Sequence, residues 1–280
     1  MSSPESRSVE NWSGKDRGDE NFPVGSVLIR KALRPHIHAF YTYARNGDDI
    51  ADTGALSAED KVARLDRMEA VLLGQAGEGS PSAARLRASL AETGVSPVHA
   101  QELLVAFRRD ARKTRYASWD ELLDYCRYSA APVGRYVLDL HGESPATWPA
   151  NDALCASLQV LNHLQDCGKD FVGMDRSYLP QDMLEAAGAT VSDVTKPAET
   201  AGLRRVFGQM LDRVDGLNAE AARFPGQIRD RRLRLEVGVI VGLAHRLTRR
   251  LRRGDPIATR VKLMKSDVAG SLVGALRWAA

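Results

Sequence analysis

Two groups of aspartates, far apart along the chain, repeat one arrangement of oxygen-bearing side chains. The first is Tyr41-x-x-x-Arg45-x-x-Asp48-Asp49-x-x-Asp52, and the second is Gln159-x-x-Asn162-x-x-x-Asp166-x-x-x-Asp170. Side chains three or four residues apart lie on one face of an α-helix, where ionised carboxylates repel and cost the helix about 0.2–0.5 kcal/mol per pair. Two such groups, flanked by an arginine or by amides, predict bound cations that offset the repulsion.

The ligand atoms in these groups indicate which cation would bind. All of them are oxygens, from the carboxylates of Asp48, Asp52, Asp166 and Asp170 and the amides of Gln159 and Asn162. Such ligands select Mg²⁺ or Mn²⁺ over zinc or copper, and Mg²⁺ commonly combines one or two carboxylates with substrate phosphate oxygens. We therefore predict a diphosphate bridged by Mg²⁺ between two facing helices, with Arg45 contacting the phosphates directly.

A simpler interpretation stays open for each group taken alone, namely that it is a solvated polar face of a helix. Asp49 lies off the face shared by Asp48 and Asp52, so it is predicted to be a helix-surface charge. The occurrence of two groups in the same chain, each with further polar ligands in phase, favours the metal site.

Four tyrosines form a second set of candidates: Tyr41, Tyr125, Tyr128 and Tyr178. Their ring faces would stabilise a carbocation if they lined an apolar cavity. Equally, they would be core aromatic residues whose hydroxyl groups find hydrogen-bond partners.

Composition places the chain among ordinary globular proteins. It has 280 residues, a formal net charge of +3, 44% hydrophobic residues and 27% charged residues, enough to bury a sizeable core. Cys126, Cys155 and Cys167 lack metal-ligand spacing and are predicted to be reduced thiols. No signal peptide and no apolar run of membrane-spanning length is recognised, so we expect a cytoplasmic protein.

Other function classes lack their signals. The basic runs from Arg108 to Arg115 and from Arg229 to Arg253 are predicted to be solvated helix faces, with attraction to diphosphate or anionic lipid as the alternative. No fold motif supports nucleic-acid binding. Because no Gly-rich dinucleotide fingerprint or Walker loop occurs, no nicotinamide cofactor is expected.

Helical patterns run through most of the chain and predict an all-α fold. Residues 1–18 are polar and predicted to be a disordered tail, and residues 19–280 to be one domain of many antiparallel helices. Predicted helices begin near Arg34-Pro35 and after Ser118, the latter as a capping box with Glu121. Others cover Glu59–Leu73, Val98–Arg112, Trp148–Phe171 (as one helix or two), Ala198–Arg223 and Gln227–Arg252.

The predicted interruptions are equally specific. Gly54 is predicted to cap the first-motif helix, and Gly47 within it to allow close packing or ligand approach. Pro132 predicts a bend, and residues 173–193 an irregular loop.

The two aspartate groups resemble the aspartate-rich motifs of the squalene/phytoene synthase family, and the similarity extends over nearly the whole chain from Asn21. Within that family the chain is most similar to the HpnC-type hydroxysqualene synthase branch of bacterial hopanoid biosynthesis. The stretches that carry this resemblance are Glu20–Val24, Lys113–Trp119 and Tyr125–Arg135.

The resemblance implies an isoprenoid synthase-type helical bundle with a central cavity, and a lyase reaction in which presqualene diphosphate and water give hydroxysqualene and diphosphate. It further implies Mg²⁺ on the four motif aspartates. Arg45, Gln159 and Asn162 would hold diphosphate or ions, Tyr125 would line the cavity, and Arg176 and Tyr178 would close it near the phosphates. Tyr41 is predicted to be catalytic together with the four aspartates. The lipid substrate implies peripheral membrane contact and functional coupling to other hopanoid-pathway enzymes.

Two alternatives remain at this point. One is a head-to-head prenyl synthase of the same family that makes presqualene or phytoene diphosphate. The other is a non-catalytic assembly factor of the same fold, although the loss of motif aspartates expected of such a protein is not seen here.

Overall fold

The computed structural model of the protein describes residues 8–10 and 28–279. All regular secondary structure in these residues is helical, which confirms the predicted all-α class. The α-helices are α1 (Arg34–Asp52), α2 (Ala58–Leu72), α3 (Pro81–Thr93), α4 (Val98–Asp110), α5 (Trp119–Ser129), α6 (Ala131–Leu140), α7 (Trp148–Met174), α8 (Gln181–Ala186), α9 (Ala201–Ala221), α10 (Phe224–Gln227), α11 (Arg231–Arg253) and α12 (Lys265–Ala275). No helix in the described part of the chain is long and apolar enough to cross a bilayer.

Local capping signals predicted several helix ends well. Pro35 lies in the first turn of α1, where its missing N–H costs nothing. At the start of α5, the Ser118 side chain accepts a hydrogen bond from the Glu121 N–H. The Glu121 carboxylate completes the cap one residue further out, because it accepts from the Ala117 N–H at 2.6 Å. The second aspartate group lies on α7, a single continuous helix.

Other local predictions were wrong. Gly54 does not cap α1, since the helix ends where Thr53 turns to an extended backbone and Gly54 has no positive φ. The interruption predicted at Pro132 does occur, but two residues earlier, where Ala130 leaves the helical region at φ −124°; Pro132 itself lies in the first turn of α6. The predicted loop at 173–193 contains α8 and the 3₁₀ turn Val191–Thr195, and helices α3 and α12 were not predicted.

The chain forms two compact units. In the described residues the first comprises 8–10, 28–112 and 135–142, and the second comprises 113–134 and 143–279. The single domain from residue 19 stays a prediction. In the predicted tail, the Glu10 carboxylate accepts hydrogen bonds from Ser80 Oγ and from the Ser82 N–H. Residues 1–7 and 11–18 of the tail and the stretch Glu20–Val24 lie outside the described residues.

In the first unit, α1 packs against α2, α3 and α4. Its inward face carries Ile37, Phe40, Tyr43 and Ile50, all buried. The Phe40 ring stacks on Tyr136 with ring centroids 4.0 Å apart. This apolar face fixes the rotation of α1 about its axis, and therefore where its aspartates point.

Gly47 on α1 lies against the Phe107 ring of α4. A Cβ atom at this position would lie 2.7 Å from two ring carbons of Phe107, well inside contact distance. The prediction that this glycine allows close packing is confirmed.

We expect Gly47→Ala to destabilise the protein by about 1 kcal/mol, measured by urea unfolding. Alanine gains about 1 kcal/mol of helix propensity, but overpacking against Phe107 costs typically 1–3 kcal/mol. The matched control is Gly208→Ala in α9, where no atom lies within 4 Å of the new Cβ, so propensity alone acts and the variant is expected to be more stable. Equal stabilisation of both variants would contradict the packing argument.

In the second unit, α7 packs against α5, α9 and α11. A buried polar chain crosses these helices: Ser157 Oγ donates to Asn218 Oδ1 at 2.7 Å, and Asn218 Nδ2 donates to Thr248 Oγ1 at 3.0 Å. Because each buried group has its partner, the chain sets the register of α7 against its neighbours. All three cysteines are unbridged, as predicted.

Candidate functional site

Asp48 and Arg45 lie together on the C-terminal half of α1. The Arg45 guanidinium forms two ion pairs, from Nη1 to Asp48 Oδ2 at 3.1 Å and from Nη2 to Asp49 Oδ1 at 2.9 Å. Asp49 is only 4% exposed, so its prediction as a surface charge was wrong. Its carboxylate is turned inward, and Arg45 at the i−4 position offsets the cost of burying it. The two aspartates together position the Arg45 guanidinium.

The surroundings of Asp48 oppose its ionisation. Burial is the largest cause, followed by the negative charge of Asp52, and together they raise the pKa of Asp48 to about 8 against the opposing effect of Arg45. Asp110 and Asp49 raise it further. The Asp48 side chain is nevertheless 36% exposed, so solvent moderates the effect of burial, and the repulsion by the neighbouring carboxylates is the cause that its surroundings support most directly.

Asp110 is a member of this group that the sequence did not single out. It is buried at the end of α4, where it follows Arg108 and Arg109 and was read as part of a basic run. Arg108, in contrast, is engaged by Asp66 at 2.7 Å and by Glu69 at 2.5 Å on α2. Arg108 is thus a structural residue that joins α4 to α2. Asp110, the acidic residue within the same run, raises the pKa of Asp48.

On α7 the second group lies on one helix face, as its spacing predicted. Gln159, Asn162, Asp166 and Asp170 are all partly exposed. Arg260 Nη2 lies 3.3 Å from Asp166 Oδ1, and Gln165 Nε2 donates to the Val261 carbonyl at 2.6 Å. Arg260, near the C-terminus, is therefore held against the second motif.

Asp166 and Arg260 also line an open cavity of about 420 Å³, together with Gln165, Lys169 and Lys196. The mixed charges suit a ligand that combines phosphate oxygens with a cation.

Neither unit gathers three or more His, Cys, Asp or Glu side chains into a metal-binding group among the described residues. Each unit carries a pair of motif aspartates. Mg²⁺ typically takes one or two carboxylates and completes its shell with water and phosphate oxygens. The oxygen-only ligands and the raised pKa of Asp48 fit such an ion bound together with a phosphate ligand.

A cluster of aromatic rings lies beside the second motif in the same unit. Tyr125 and Tyr178 have ring centroids 5.4 Å apart, and Tyr116 lies 5.2 Å from Tyr125 and 5.5 Å from Tyr178. Arg176, which is 5% exposed, lies with Nη1 3.5 Å from the Tyr178 hydroxyl. The predicted site residues Tyr125, Arg176 and Tyr178 are thus brought together, and Tyr116 joins them.

Two distant chain segments build this cluster by pairing with each other. The Ser177 N–H donates to the Thr114 carbonyl at 2.9 Å, and the Gln181 N–H donates to the Tyr116 carbonyl at 3.0 Å. Asp175 ends α7 with a left-handed backbone at φ 50°, and its carboxylate binds Arg115 at 2.5 Å. This reversal turns the chain back so that Arg176 and Tyr178 meet Tyr116 and Tyr125.

His163 completes the cluster from α7. Its ring stacks on Tyr178 with centroids 3.5 Å apart and an interplanar angle of 15°. It is 3% exposed, and its Nε2 has no hydrogen-bond partner in the described part of the chain. Burial and the neighbouring Arg176 charge lower the pKa of His163 to about 3. His163 is therefore a packed histidine, and its imidazole is neutral at physiological pH.

We expect His163→Phe to flatten the acid side of the stability curve. The folded pKa lies below the unfolded value of 6.5, so the unfolded chain takes up the proton and the wild type loses stability as pH falls below 6.5. Between pH 6.5 and 4.5 this amounts to about 2 kcal/mol. Phenylalanine keeps the stacking without a titrating nitrogen. Urea unfolding at the two pH values measures the effect, and an unchanged pH dependence would contradict it.

The remaining candidate tyrosines are Tyr41 in the first unit and Tyr128 near the end of α5 in the second. Tyr41 is partly exposed on α1, and Tyr128 carries the Arg127 guanidinium 5.4 Å from its ring centroid. Of the four tyrosines proposed as cavity-lining residues, Tyr125 and Tyr178 lie in the aromatic cluster. Tyr116 and His163 carried a signal in the sequence, since one lies in the Lys113–Trp119 stretch and the other follows Asn162.

The sequence profile of the squalene/phytoene synthase family matches residues 15–267. The chain belongs to this family. A hydroxysqualene synthase of Rhodopseudomonas palustris is 48% identical over 264 residues, covering 94% of this chain and 90% of that protein. A hydroxysqualene synthase of Sinorhizobium fredii is 45% identical, covering 92% and 88%. These findings confirm the predicted family and branch, and that the chain is a squalene/phytoene synthase-family enzyme.

A solved structure agrees with this assignment. The squalene synthase HpnC of Alicyclobacillus acidocaldarius superposes with a TM-score of 0.74 at 35% identity, covering 85% of this chain and 90% of that one. The predicted isoprenoid synthase-type fold is thereby confirmed.

Proposed function

We propose that the protein is a hydroxysqualene synthase that converts presqualene diphosphate and water into hydroxysqualene and diphosphate. The observation that carries this proposal is the 45–48% identity, over more than nine-tenths of the chain, to relatives with that activity in their names. The charge distribution around Asp48 and the aromatic cluster around Tyr178 support its two chemical requirements, which are departure of the anionic diphosphate and stabilisation of a carbocation.

The reaction is an ionisation followed by capture. The carbon–oxygen bond to the diphosphate breaks, and its electron pair leaves with the diphosphate. The resulting carbocation rearranges, a water oxygen forms the new carbon–oxygen bond, and that water releases one proton. No electrons are gained or lost overall, so no reductant is required.

Departure of the diphosphate depends on positive charge at the leaving oxygens. Mg²⁺, with Mn²⁺ as a substitute, would be held by Asp48, Asp52, Asp166 and Asp170, and when bound it neutralises the charge that develops on the leaving group. Arg45 and Arg176 would donate hydrogen bonds to phosphate oxygens, and Gln159 and Asn162 would hold the diphosphate or the ions. Arg45 is suited to this role because Asp48 and Asp49 orient its guanidinium.

The aromatic residues would stabilise the carbocation. Ring faces stabilise a nearby positive charge without reacting with it, and Tyr116, Tyr125 and Tyr178 present three rings within 5.5 Å of one another. Tyr41 is proposed to contribute from α1. His163 is neutral at physiological pH, so it adds no repelling charge beside the cation.

The deciding experiment is product analysis with purified protein, Mg²⁺ and presqualene diphosphate in ¹⁸O-labelled water, with and without NADPH. The proposal predicts hydroxysqualene carrying ¹⁸O, in a yield that NADPH does not change. Squalene formed only with NADPH would overturn it in favour of reductive capture. Product from farnesyl diphosphate alone would instead identify a head-to-head prenyl synthase.

The non-catalytic alternative has its own test in cells. If a variant combining Asp48→Asn with Asp166→Asn supported normal hopanoid formation, an assembly factor would be the better description. Loss of hopanoids is expected.

We further propose that the protein is cytoplasmic and contacts the membrane peripherally, because its substrate and product are lipids. Functional coupling to the enzymes that supply presqualene diphosphate and consume hydroxysqualene would limit loss of these lipids into the bilayer.

A further inference from the structure

The end of α11 carries a row of arginines on one helix face. Arg246, Arg249, Arg250 and Arg253 follow i, i+3, i+4, i+7 spacing and point to the same side. With Val261, Lys262 and Asp267 they line an open cavity of about 530 Å³. Five cationic side chains thus share this cavity with one carboxylate.

That carboxylate does not balance the charge. Asp267 accepts from Arg250 Nε at 2.6 Å and lies 3.9 Å from Arg246. Arg249, Arg253 and Lys262 are exposed, and no carboxylate of the described residues forms an ion pair with them. The negative end of the helix dipole stabilises cations in the last turn of α11, which accounts for Arg250 and Arg253. It does not account for Arg246 and Arg249, which lie before that turn and repel the other arginines at these spacings.

Beside the arginines, α12 is oriented with its larger apolar residues outward. Its buried side chains, Asp267, Ser271 and Ala275, are small or polar. They fit closely because α11 has glycines opposite them, with Gly242 near Ser271 and Gly238 near Ala275.

The outward face of α12 is continuous and apolar. It exposes Met264, Val268, Leu272, Val273 and Leu276, of which Val273 is 69% and Leu276 61% exposed. Four of them recur every fourth residue, a row of roughly 18 Å along the helix axis. An ordinary surface helix buries such a face, and contiguous exposed apolar residues mark interaction sites.

We propose that the arginine row of α11 and the outward face of α12, together the α11–α12 surface, dock on an anionic lipid bilayer. Arginines and lysines are attracted to anionic headgroups, while leucine and valine side chains enter the boundary with the acyl chains. Charge complementarity selects this occupant. A soluble phosphate would explain the basic cavity but would leave the apolar row without a role.

The α11–α12 surface locates the membrane contact proposed above, and it does not depend on which reaction the enzyme catalyses. Binding in this way would hold the second unit against the bilayer. A lipid substrate would then be taken from the same membrane to which the protein is bound.

Vesicle sedimentation of the full-length protein, without substrate, tests the surface. At low salt we expect binding to phosphatidylcholine vesicles containing phosphatidylglycerol and little binding to phosphatidylcholine alone. Arg249→Gln with Arg253→Gln should weaken partitioning at least about tenfold. Leu272→Gln with Val273→Gln should weaken it to a similar extent at unchanged charge.

Matched control variants show whether an effect comes from the α11–α12 surface or simply from the loss of charged or apolar side chains anywhere on the protein. Arg85→Gln with Arg112→Gln removes the same charge from exposed positions elsewhere, and Leu73→Gln with Val98→Gln removes partly exposed apolar side chains. Both controls should bind vesicles as the wild type does, and circular dichroism melting would verify that every variant is folded.

Turnover of presqualene diphosphate in detergent micelles separates this surface from the reaction. The α11–α12 variants should keep wild-type turnover there. Loss of turnover in the arginine variant would place the arginines in the diphosphate site and overturn the proposal. Three other results would also overturn the proposal. They are equal vesicle binding by all variants, release of the protein from vesicles by inorganic phosphate at constant ionic strength, and a Leu272/Val273 variant that changes only the oligomeric state. If neither the wild type nor any variant turned over presqualene diphosphate, but vesicle binding changed as predicted, the proposed reaction would be wrong and the membrane-binding surface would stand.

Discussion

Replacing Asp48 with asparagine is expected to lower turnover of presqualene diphosphate about 10³-fold and, at the same time, to stabilise the metal-free protein. Loss of one ligand or charge that acts in the transition state costs a factor of this order. The stabilisation follows from electrostatics, because burial and the charges of Asp52, Asp110 and Asp49 oppose a negative charge at position 48 more strongly than Arg45 favours it. Steady-state kinetics with Mg²⁺ and thermal unfolding in EDTA measure the two effects.

Asp166→Asn is the informative comparison for Asp48→Asn. Its turnover should fall similarly, but it loses the ion pair with Arg260 at 3.3 Å and gains no stability. Asp120→Asn, at an exposed position in the first turn of α5, should change neither property appreciably. An Asp48→Asn protein that keeps most of its activity, or that unfolds more easily in EDTA than the wild type, would contradict the role proposed for this aspartate.

Removing Mg²⁺ with EDTA is expected to abolish turnover, and the Mg²⁺ concentration needed to restore it should fall as pH rises. The folded pKa of Asp48, about 8, lies above its unfolded value of 3.8. The folded metal-free protein therefore holds the extra proton, and its free energy of unfolding declines as pH rises from about 4 to about 8. Because Mg²⁺ competes with that proton, its apparent affinity should rise about tenfold per pH unit below pH 8.

The shift in unfolding temperature on adding Mg²⁺ with inorganic diphosphate measures this competition directly and needs no turnover. The wild type should show a larger shift at pH 8 than at pH 6, whereas Asp48→Asn should show a small shift that does not depend on pH. A wild-type shift that is independent of pH would show that no proton is displaced from this site. Mn²⁺ should replace Mg²⁺, since both prefer oxygen ligands.

Local signals made several helix ends predictable. Ser118 caps α5, and Pro35 opens α1, because both act through hydrogen bonds within one turn. Helix α3 was missed although Ser80, Pro81 and Gly94 mark its ends, and α12 was missed because its apolar pattern faces outward. Gly54 was misjudged because an extended Thr53 already ends α1.

Placement of individual side chains required the packed structure. Asp49 was predicted to be exposed from its angle relative to Asp48, yet the packing of α1 turns it inward and Arg45 pairs with it. Asp110 acts on Asp48 from another helix, which no spacing within α1 reveals. The arrangement of the two motif groups across one diphosphate stays a prediction.

The sequence by itself determined the helical class, the family, the two aspartate-bearing helix faces and the oxygen chemistry of their ligands. These follow from periodicity and residue type, which act over a few residues. Tertiary structure decided that Asp48 is crowded by carboxylates, that Arg45 is held between two aspartates, and that Tyr116, Tyr125, His163 and Tyr178 form one cluster. Those properties depend on contacts between residues far apart in the chain, where burial and neighbouring charge, rather than residue type, set the protonation state and orientation of each group.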